Sequence, residues 1–296
     1  MAQPGGNTAI SSGGFMLPQD GPRALKYLTA TYDLANSEKD DELLNTFSKE
    51  IMGVKDWMTG LKEGTELWVY GHAGFQNLPG WEVIDKYRVR GKKRSGDCLF
   101  DLYRYAVEEK RNIPVMLETP AVQLIQKDGQ VVGAVASNNG KNINIKANKG
   151  VILTTGGYEF DPESLRTYAQ GENYHALGNH GNTGDGLRMA QSMGARLWHM
   201  TAYSCSLETE LPGCKAALQV AMMAPSFIWV DKNGKRFADE FSPDSHTCCY
   251  VVNRFDPISH SYPSIPCWLI FDDKVFKRGP VVGGSSGYSI NREGYK

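Results

Sequence analysis

The first part of the chain places apolar residues at the spacing of a helix. Apolar side chains recur every three to four residues between Arg23 and Leu61 and again between Cys98 and Arg111. This pattern predicts helices with one buried face. The acidic cluster at residues 38–42, directly after Asn36-Ser37, predicts a break and a new helix start, because carboxylates are favoured at the positive end of the helix dipole.

After residue 111 the apolar pattern changes to short runs bounded by turn residues, which is typical of strands. The predicted strands are residues 113–118, 121–126, 130–137 and 142–147, with a hairpin turn at residues 127–130. Residues 151–153 are apolar at every position and lead into Thr154-Thr155-Gly156-Gly157. An all-apolar strand predicts the buried centre of a parallel sheet. A helix is predicted from Asp185 to Gly194, and a hairpin at residues 230–240.

Composition and charge narrow the function. A chain of 296 residues is long enough for about two domains at ~150 residues each. Its formal net charge of -1 argues against a nucleic-acid binder, which would carry a basic excess. No apolar run approaches the ~20 residues that span a bilayer. Six cysteines without a CxxC pair predict reduced thiols in a cytoplasmic compartment, and the spacing of His246, Cys248 and Cys249 predicts no metal site.

Four glycine-containing segments are candidates for binding a ligand, and each also has a purely structural interpretation. They are Gly5-Gly6-Asn7-Thr8 followed by Ser12-Gly13-Gly14, the strand end at residues 154–157, the turn at residues 181–186, and the hairpin at residues 230–240. Clustered backbone N–H groups at such turns suit an anion or a ring. In the same order, the purely structural interpretations are a disordered tail, a strand end, a helix N-cap at Asp185 and a simple hairpin.

Taken in order, these segments resemble the FAD-binding flavoproteins of the fumarate reductase and succinate dehydrogenase superfamily. The resemblance runs over essentially the whole chain and is nearest to the soluble branch with flavocytochrome fumarate reductases, urocanate reductases and 3-ketosteroid dehydrogenases. It implies an α/β fold, in which a Rossmann-like FAD-binding domain carries an inserted α+β cap domain. The expected bounds are residues 1–200 for the FAD-binding domain, without its first strand, and residues 201–296 for part of the cap.

The resemblance also implies which residues bind FAD. The first glycine segment would follow the pyrophosphate and the flavin ring, residues 121–122 the adenine, and residues 154–156 the ADP moiety. The implied set is Gly5, Gly6, Asn7, Thr8, Ser12, Gly13, Gly14, Ala121, Val122, Thr154, Thr155, Gly156, Thr183 and Asp185. Family members with covalent flavin carry a histidine before the first glycine segment, and none stands here, so FAD is expected to be non-covalent.

The sequence departs from the family's pattern both at the FAD-binding site and at the substrate-binding site. The GxGxxG fingerprint occurs nowhere in the 296 residues, nor does the family's closing flavin segment, and we therefore expect a fragment of a longer flavoprotein. On the substrate side, Asp244 stands four residues after Glu240, where fumarate and urocanate reductases place the arginine that donates the proton. An ionised aspartate cannot replace that cation. This disfavours fumarate reduction.

No motif selects the catalytic group. Ketosteroid dehydrogenases use tyrosines as acid and base, so the available candidates are Tyr203, Tyr250 and Tyr262, together with His246 and Arg254. The leading hypothesis is an FAD-dependent oxidoreductase that moves a hydride between flavin N5 and a substrate carbon–carbon bond. Its expected partners are a small-molecule substrate and an electron-donor protein. An inactive fragment and a non-redox nucleotide-binding protein remain the alternatives.

Overall fold

The structure of the chain is a computed structural model. It describes residues 3–35, 37–93, 95–169, 171, 174–176, 178–201, 203–209, 218–220, 226–240 and 248–278. The helices are α1 Gly6–Ile10, α2 Gly21–Leu34, α3 Asp41–Glu50, α4 Val54–Thr59, α5 Ser95–Arg104, α6 Pro162–Tyr168, α7 Asp185–Ser192, α8 Cys248–Val252 and α9 Asp273–Arg278. The strands are β1 Phe15–Pro18, β2 Leu67–His72, β3 Ile84–Val89, β4 Ala121–Lys127, β5 Gln130–Asn138, β6 Lys141–Lys146, β7 Glu208–Thr209, β8 Leu218–Gln219, β9 Phe227–Val230 and β10 Trp268–Phe271.

The chain divides into two compact units. The N-terminal unit is Asn7–Val115, and the C-terminal unit is Met116–Lys296 together with Met1–Gly6. The boundary near residue 200, between the FAD-binding domain and the cap domain, comes from the family resemblance and stays a prediction. No helix in the described part of the chain is long and apolar enough to cross a membrane.

In the N-terminal unit, helices cover a three-stranded antiparallel sheet of order β1-β3-β2. The helix break predicted at residues 36–42 is confirmed, because Asp40 caps α3 by accepting the backbone N–H of Leu43 at 2.9 Å. The helix predicted at Cys98–Arg111 is confirmed with earlier bounds, α5 being followed by one π-helical turn, Tyr105–Glu109. Its apolar face builds the core with α4 and β3. That core consists of Met58, Leu61, Val89, Leu99, Leu102 and Ala106.

In the C-terminal unit, β4, β5 and β6 form an antiparallel meander. The turn between β4 and β5 is the predicted one. Asp128 and Gly129 both have positive φ, 50° and 79°, as a two-residue hairpin turn requires. The predicted helix at Asp185 is confirmed as α7. Of the predicted hairpin at residues 230–240, the turn is confirmed by a single bridge between Val230 and Arg236. No strand follows that turn within residues 231–240, and β9 pairs with β10 instead.

Two predicted strands are wrong. Residues 113–118 and 151–157 form no strand, and Ile152 is 88% exposed rather than buried. An apolar run has strand propensity, but a parallel strand forms only when neighbours pair with it. Within the described residues every sheet is antiparallel, and no described strand pairs with residues 151–153.

Replacing Met58 tests the core of the N-terminal unit. Met58 is 1% exposed, so Met58→Ala should lower the free energy of unfolding by about 2–5 kcal/mol, through lost burial and the cavity left behind. Met16, which is 54% exposed on β1, is the matched control, and Met16→Ala should cost less than about 0.5 kcal/mol. Urea denaturation followed by circular dichroism measures both. Equal midpoints for the two variants would contradict this core.

Candidate functional site

The start of α7 packs against residues 155–156 through two glycines. A Cβ on Gly186 would lie 1.9 Å from Thr155 Oγ1, and a Cβ on Gly156 would lie 2.2 Å from Asn182 Oδ1. Gly156 also has φ +78°, a conformation that side chains other than glycine rarely adopt. Both contacts are far below any normal approach, so only glycine fits at either position.

Asn182 lies in the loop before α7 and faces Gly156. It is 4% exposed, and its side-chain amide donates to the Glu159 carboxylate. Its backbone carbonyl accepts the N–H of Phe160 at 3.0 Å, and its own N–H donates to Asn179 at 2.9 Å. A buried amide with these partners fixes the loop before α7 against residues 156–160.

Asp185 does not cap α7. Gly184, at φ 74°, occupies the cap position, and no side chain caps the helix. The Asp185 carboxylate instead accepts from Arg188 Nη2 at 2.7 Å and from Thr183 Oγ1 at 3.0 Å. Arg188 also donates to the Thr183 carbonyl at 2.7 Å. The polar groups of this turn therefore hold one another and remain at the surface.

The segments that the resemblance implies for the adenine and the ADP moiety both lie against α7. Ala121 and Val122 begin β4 and are exposed, and the β4–β5 register passes from Ala121 to Gln123 without Val122. Such a bulge leaves backbone groups outside the ladder. Thr154, Thr155 and Gly156 are exposed as well. Because α7 packs on both β4 and Thr155, one helix contacts both the strand that begins at Ala121 and the segment at residues 154–156.

The first glycine segment is divided between the two units, because Gly5 and Gly6 belong to the C-terminal unit and residues 7–14 belong to the N-terminal unit. Gly5 and Gly6 have positive φ, 136° and 50°, and a Cβ on Gly6 would meet open space. Residues 6–10 form α1, so the reading as a disordered tail does not apply to them.

The second half of that segment is closely packed inside the N-terminal unit. A Cβ on Gly13 would lie 2.3 Å from the Ser95 carbonyl, and one on Gly14 would lie 2.3 Å from the Tyr70 hydroxyl oxygen. The N–H of Gly13 donates to Ser11 Oγ at 3.0 Å, so this group is not a spare donor. Ser12 is half-buried, Asn7 is exposed and Thr8 is half-buried.

These observations fit a dinucleotide cofactor. Exposed backbone at residues 154–156, a bulge at Val122 and left-handed glycines at residues 5–6 give a ligand with a pyrophosphate and a ring close access to main-chain groups. No group of three or more His, Cys, Asp or Glu within the described residues could hold a metal ion.

A hydrogen-bonded tyrosine pair lies later in the C-terminal unit. Tyr174 Oη and Tyr203 Oη are 2.7 Å apart, and Asn253 Nδ2 donates to Tyr203 Oη. The rings meet edge to face at a centroid distance of 5.5 Å. Burial raises the pKa of both hydroxyls, and the bond to Tyr174 raises that of Tyr203 further. Both groups therefore remain protonated at neutral pH and can donate hydrogen bonds.

Of the other catalytic candidates in the described residues, Tyr262 lies close enough to Tyr174 to raise the pKa of its hydroxyl, after the larger effect of burial. Tyr250 is 70% exposed and Arg254 is exposed. Tyr262 is half-buried and its ring contacts Phe255. His246 and Asp244 lie outside the described residues.

Sequence reasoning missed Tyr174, Asn253 and Glu208. Burial raises the pKa of Glu208 to about 7, while Ser206 Oγ donates to its carboxylate at 3.1 Å. A carboxyl group that titrates near neutral pH is a candidate for proton transfer. Neither Tyr174 nor Asn253 stands in a motif, and they are 29 and 50 residues from Tyr203, so no sequence signal could have found them.

Comparison with known proteins assigns the family. The sequence model of the family described as FAD binding domain matches residues 1–281. The chain belongs to this FAD-binding family. FAD is its cofactor, and its fold is the α/β fold of FAD-binding flavoenzymes.

The FAD-binding chain is similar to enzymes of two activities. It is 29% identical over 213 residues to a 3-oxosteroid 1-dehydrogenase of Mycolicibacterium smegmatis, covering 69% of this chain and 37% of the relative. It is 26% identical over 207 residues to a probable fumarate reductase of Shewanella frigidimarina, covering 69% of this chain and 34% of the relative. The chain thus spans about a third of the length of these relatives.

A solved structure supports the fold. The 3-ketosteroid delta1-dehydrogenase from Sterolibacterium denitrificans, in complex with 1,4-androstadiene-3,17-dione, matches 95% of this chain and 64% of its own. The TM-score is 0.81 at 20% sequence identity. At that identity the match establishes the fold of the FAD-binding chain and nothing about its substrate.

Gly156→Ala tests whether the packing at residues 155–156 supports FAD binding. The new Cβ would meet Asn182 and strain the left-handed backbone by ~1–2 kcal/mol. FAD affinity should therefore fall about tenfold, since 1.4 kcal/mol corresponds to a factor of ten. Gly150→Ala is the control, because a Cβ there would meet nothing within 4 Å. Titration of flavin fluorescence measures the Kd of each variant. Equal affinities would show that this packing does not support FAD binding.

Glu240→Gln tests the hairpin that precedes α8. The hydrogen bond from Arg236, and then the backbone N–H of Trp229, lower the pKa of Glu240 to about 2 from the ordinary 4.5. Because the folded pKa is the lower one, the carboxylate stabilises the fold above pH 4.5 and loses this effect as pH falls towards 2. Glu240→Gln should cost about 1 kcal/mol at pH 7.

The cost should shrink at pH 3, because Glu240 is then almost fully protonated in the unfolded chain, whose pKa is the ordinary 4.5. Glu63→Gln, at an exposed position, should show no pH-dependent difference from the unaltered chain. Urea midpoints at the two pH values measure both effects. A cost for Glu240→Gln that is the same at both pH values would contradict the ionised hydrogen-bonded state.

Proposed function

We propose that this FAD-binding chain is part of an oxidoreductase that dehydrogenates a ketone next to its carbonyl group. The observation that carries the proposal is the hydrogen-bonded pair of Tyr174 and Tyr203 with Asn253 behind it. The similarity to a 3-oxosteroid 1-dehydrogenase supports the ketone class. FAD, when bound, accepts or donates a hydride. A cytoplasmic location and an electron-donor protein stay predictions from the sequence.

In this proposal the tyrosine pair polarises the carbonyl oxygen of the substrate. The Asn253 amide nitrogen can only donate, so it occupies a lone pair of Tyr203 Oη. This favours Tyr203 as the donor to Tyr174, because a hydroxyl that accepts one bond donates the next more strongly. Tyr174 then donates its own hydroxyl hydrogen to the carbonyl oxygen. A hydrogen bond there stabilises the charge that develops as the adjacent C–H bond loses its proton.

The tyrosine pair suits a ketone better than a dicarboxylate. A reaction on fumarate develops its charge beside two carboxylates, and binding these requires cations. Two neutral groups form hydrogen bonds with Tyr203, namely the phenol of Tyr174 and the amide of Asn253. A neutral donor matches a carbonyl oxygen that gains negative charge only in the transition state.

Tyr174→Phe tests the proposal in the purified chain. The chain is incubated with FAD and desalted, and the retained flavin is read from its visible spectrum. Bleaching of that flavin is then followed with a 3-oxosteroid and, separately, re-oxidation of the reduced flavin with fumarate. We expect the 3-oxosteroid to bleach the flavin and Tyr174→Phe to slow this at least a hundredfold, the loss typical of one oxyanion donor.

Tyr105→Phe is the control, because Tyr105 lies in the N-terminal unit with its ring against Lys62. This variant should keep both FAD and the unaltered bleaching rate. Bleaching that survives Tyr174→Phe would remove the proposed role of the pair, and re-oxidation by fumarate alone would replace the ketone by an unsaturated carboxylate. A chain that retains no flavin would leave the family assignment intact and refute the activity for this chain.

A further inference from the structure

One glycine lies directly against the hydrogen bonds of the tyrosine pair. Gly171 has φ +112°, and a Cβ added to it would lie 2.1 Å from Asn253 Oδ1 and 2.9 Å from Tyr174 Oη. Neither distance leaves room for a side chain, and only glycine adopts this backbone conformation readily. Gly171 is therefore packed against both groups that form hydrogen bonds with Tyr203.

The Cα of Gly171 favours one orientation of the Asn253 amide. A Cα–Cβ bond is about 1.5 Å long, so this Cα lies within about 3.6 Å of Asn253 Oδ1. On glycine a hydrogen takes the place of the Cβ and points at that oxygen, which is the geometry of a Cα–H···O contact. The reversed amide would bring its own N–H hydrogens against this hydrogen, and their like partial charges would repel. Oδ1 therefore faces Gly171, and Nδ2 is left to donate to Tyr203.

The orientation of this amide decides the direction in which the two hydroxyl groups donate. With Nδ2 at Tyr203, the Tyr203 hydroxyl accepts from Asn253 and donates to Tyr174, which presents its hydrogen to a ligand. With Oδ1 there, Tyr203 would donate to Asn253 and accept from Tyr174, which would then present a lone pair. A hydroxyl hydrogen binds a carbonyl oxygen, whereas a lone pair binds the hydrogen of an alcohol.

We propose that Gly171 is a positioning residue that fixes the direction of this hydroxyl chain, so that the site selects a ketone over the corresponding alcohol. The inference rests on the proposed function, because it takes Tyr174 as the group that contacts the substrate. The backbone of Asn253 is held separately, since its N–H donates to the Cys249 carbonyl at 3.0 Å. What Gly171 controls is therefore the orientation of the side-chain amide.

Hydrogen exchange of the side-chain amide tests this contact without any substrate. The purified chain is labelled with isotopic asparagine for NMR, and Asn253 is assigned from the signals that Asn253→Asp removes. We expect its amide hydrogens to exchange with water at least about tenfold more slowly than those of Asn142, because one of them is bonded to Tyr203. Asn142 is exposed on β6. In Gly171→Ala the new Cβ displaces the amide, and exchange at Asn253 should rise to the rate of Asn142.

Gly140→Ala is the matched control. Gly140 also has a positive φ, +74°, but a Cβ there would meet nothing within 4 Å. This variant carries the backbone strain without the contact, so it should leave the exchange at Asn253 unchanged.

Ligand preference tests the direction of the hydroxyl chain. The purified chain is incubated with FAD and reduced with dithionite under nitrogen, so that a bound ketone cannot be dehydrogenated. Equilibrium dialysis then gives the Kd of a 3-oxosteroid and of the 3-hydroxysteroid with the same rings. We expect the unaltered chain to prefer the ketone about tenfold, the effect of one hydrogen bond.

The variants should change this preference in different ways. Asn253→Asp should reverse it, because a carboxylate only accepts and draws the hydrogen of Tyr203 towards itself. Gly171→Ala should abolish the preference, and Gly140→Ala should keep it.

The two measurements separate the role of Gly171 from the proposed function. Fast exchange at Asn253 in the unaltered chain, unchanged exchange in Gly171→Ala, or a ketone preference that survives Asn253→Asp would each overturn the positioning role. Slow exchange that depends on Gly171, together with no binding of the ketone, would instead refute the proposed ketone chemistry. Exchange in the unaltered chain and ligand preference in Asn253→Asp decide the matter even where Gly171→Ala fails to fold.

Discussion

The packing of α7 in the C-terminal unit depends on two glycines that let the start of the helix and residues 155–156 approach closely. Gly186 faces Thr155 and Gly156 faces Asn182, each at a distance that leaves no room for a Cβ. Asn182 is buried and tied to Glu159. The helix also packs on β4, which begins with the exposed Ala121 and Val122. These two close contacts, together with the packing of α7 on β4, position the segments at residues 121–122 and 154–156, which the sequence predicts for the adenine side of FAD.

The same constraint explains the exposed surface around it. The segment at residues 151–157 forms no strand and leaves Ile152 exposed, and its contacts with Asn182 and α7 are made by Thr155 and Gly156. A parallel strand takes its stability from neighbours on both sides. The described chain supplies a helix contact at one end of this segment and no strand beside it.

The tyrosine group of the C-terminal unit is built on hydrogen bonds. Tyr174, Tyr203 and Asn253 come from three separate parts of the sequence, and each holds the next through one polar contact. Cys205 and α8 flank the same group. Such a network keeps its hydroxyl groups protonated, through burial, and its order depends on the spacing between α8 and the segment at residues 203–209.

The sequence alone determined the local elements and the family. The 3.6-residue pattern and the acidic cluster at residues 38–42 predicted α2 and α3, the Asp128-Gly129 turn predicted the β4–β5 hairpin, and the ordered glycine segments led to FAD. These features depend on neighbours within a few residues. Tertiary structure decided the rest, namely that Ile152 is exposed, that Asp185 binds Arg188 instead of capping α7, and that Tyr174 and Asn253 meet at Tyr203. Pairing, burial and side-chain contacts depend on residues distant in the chain, which no local pattern encodes.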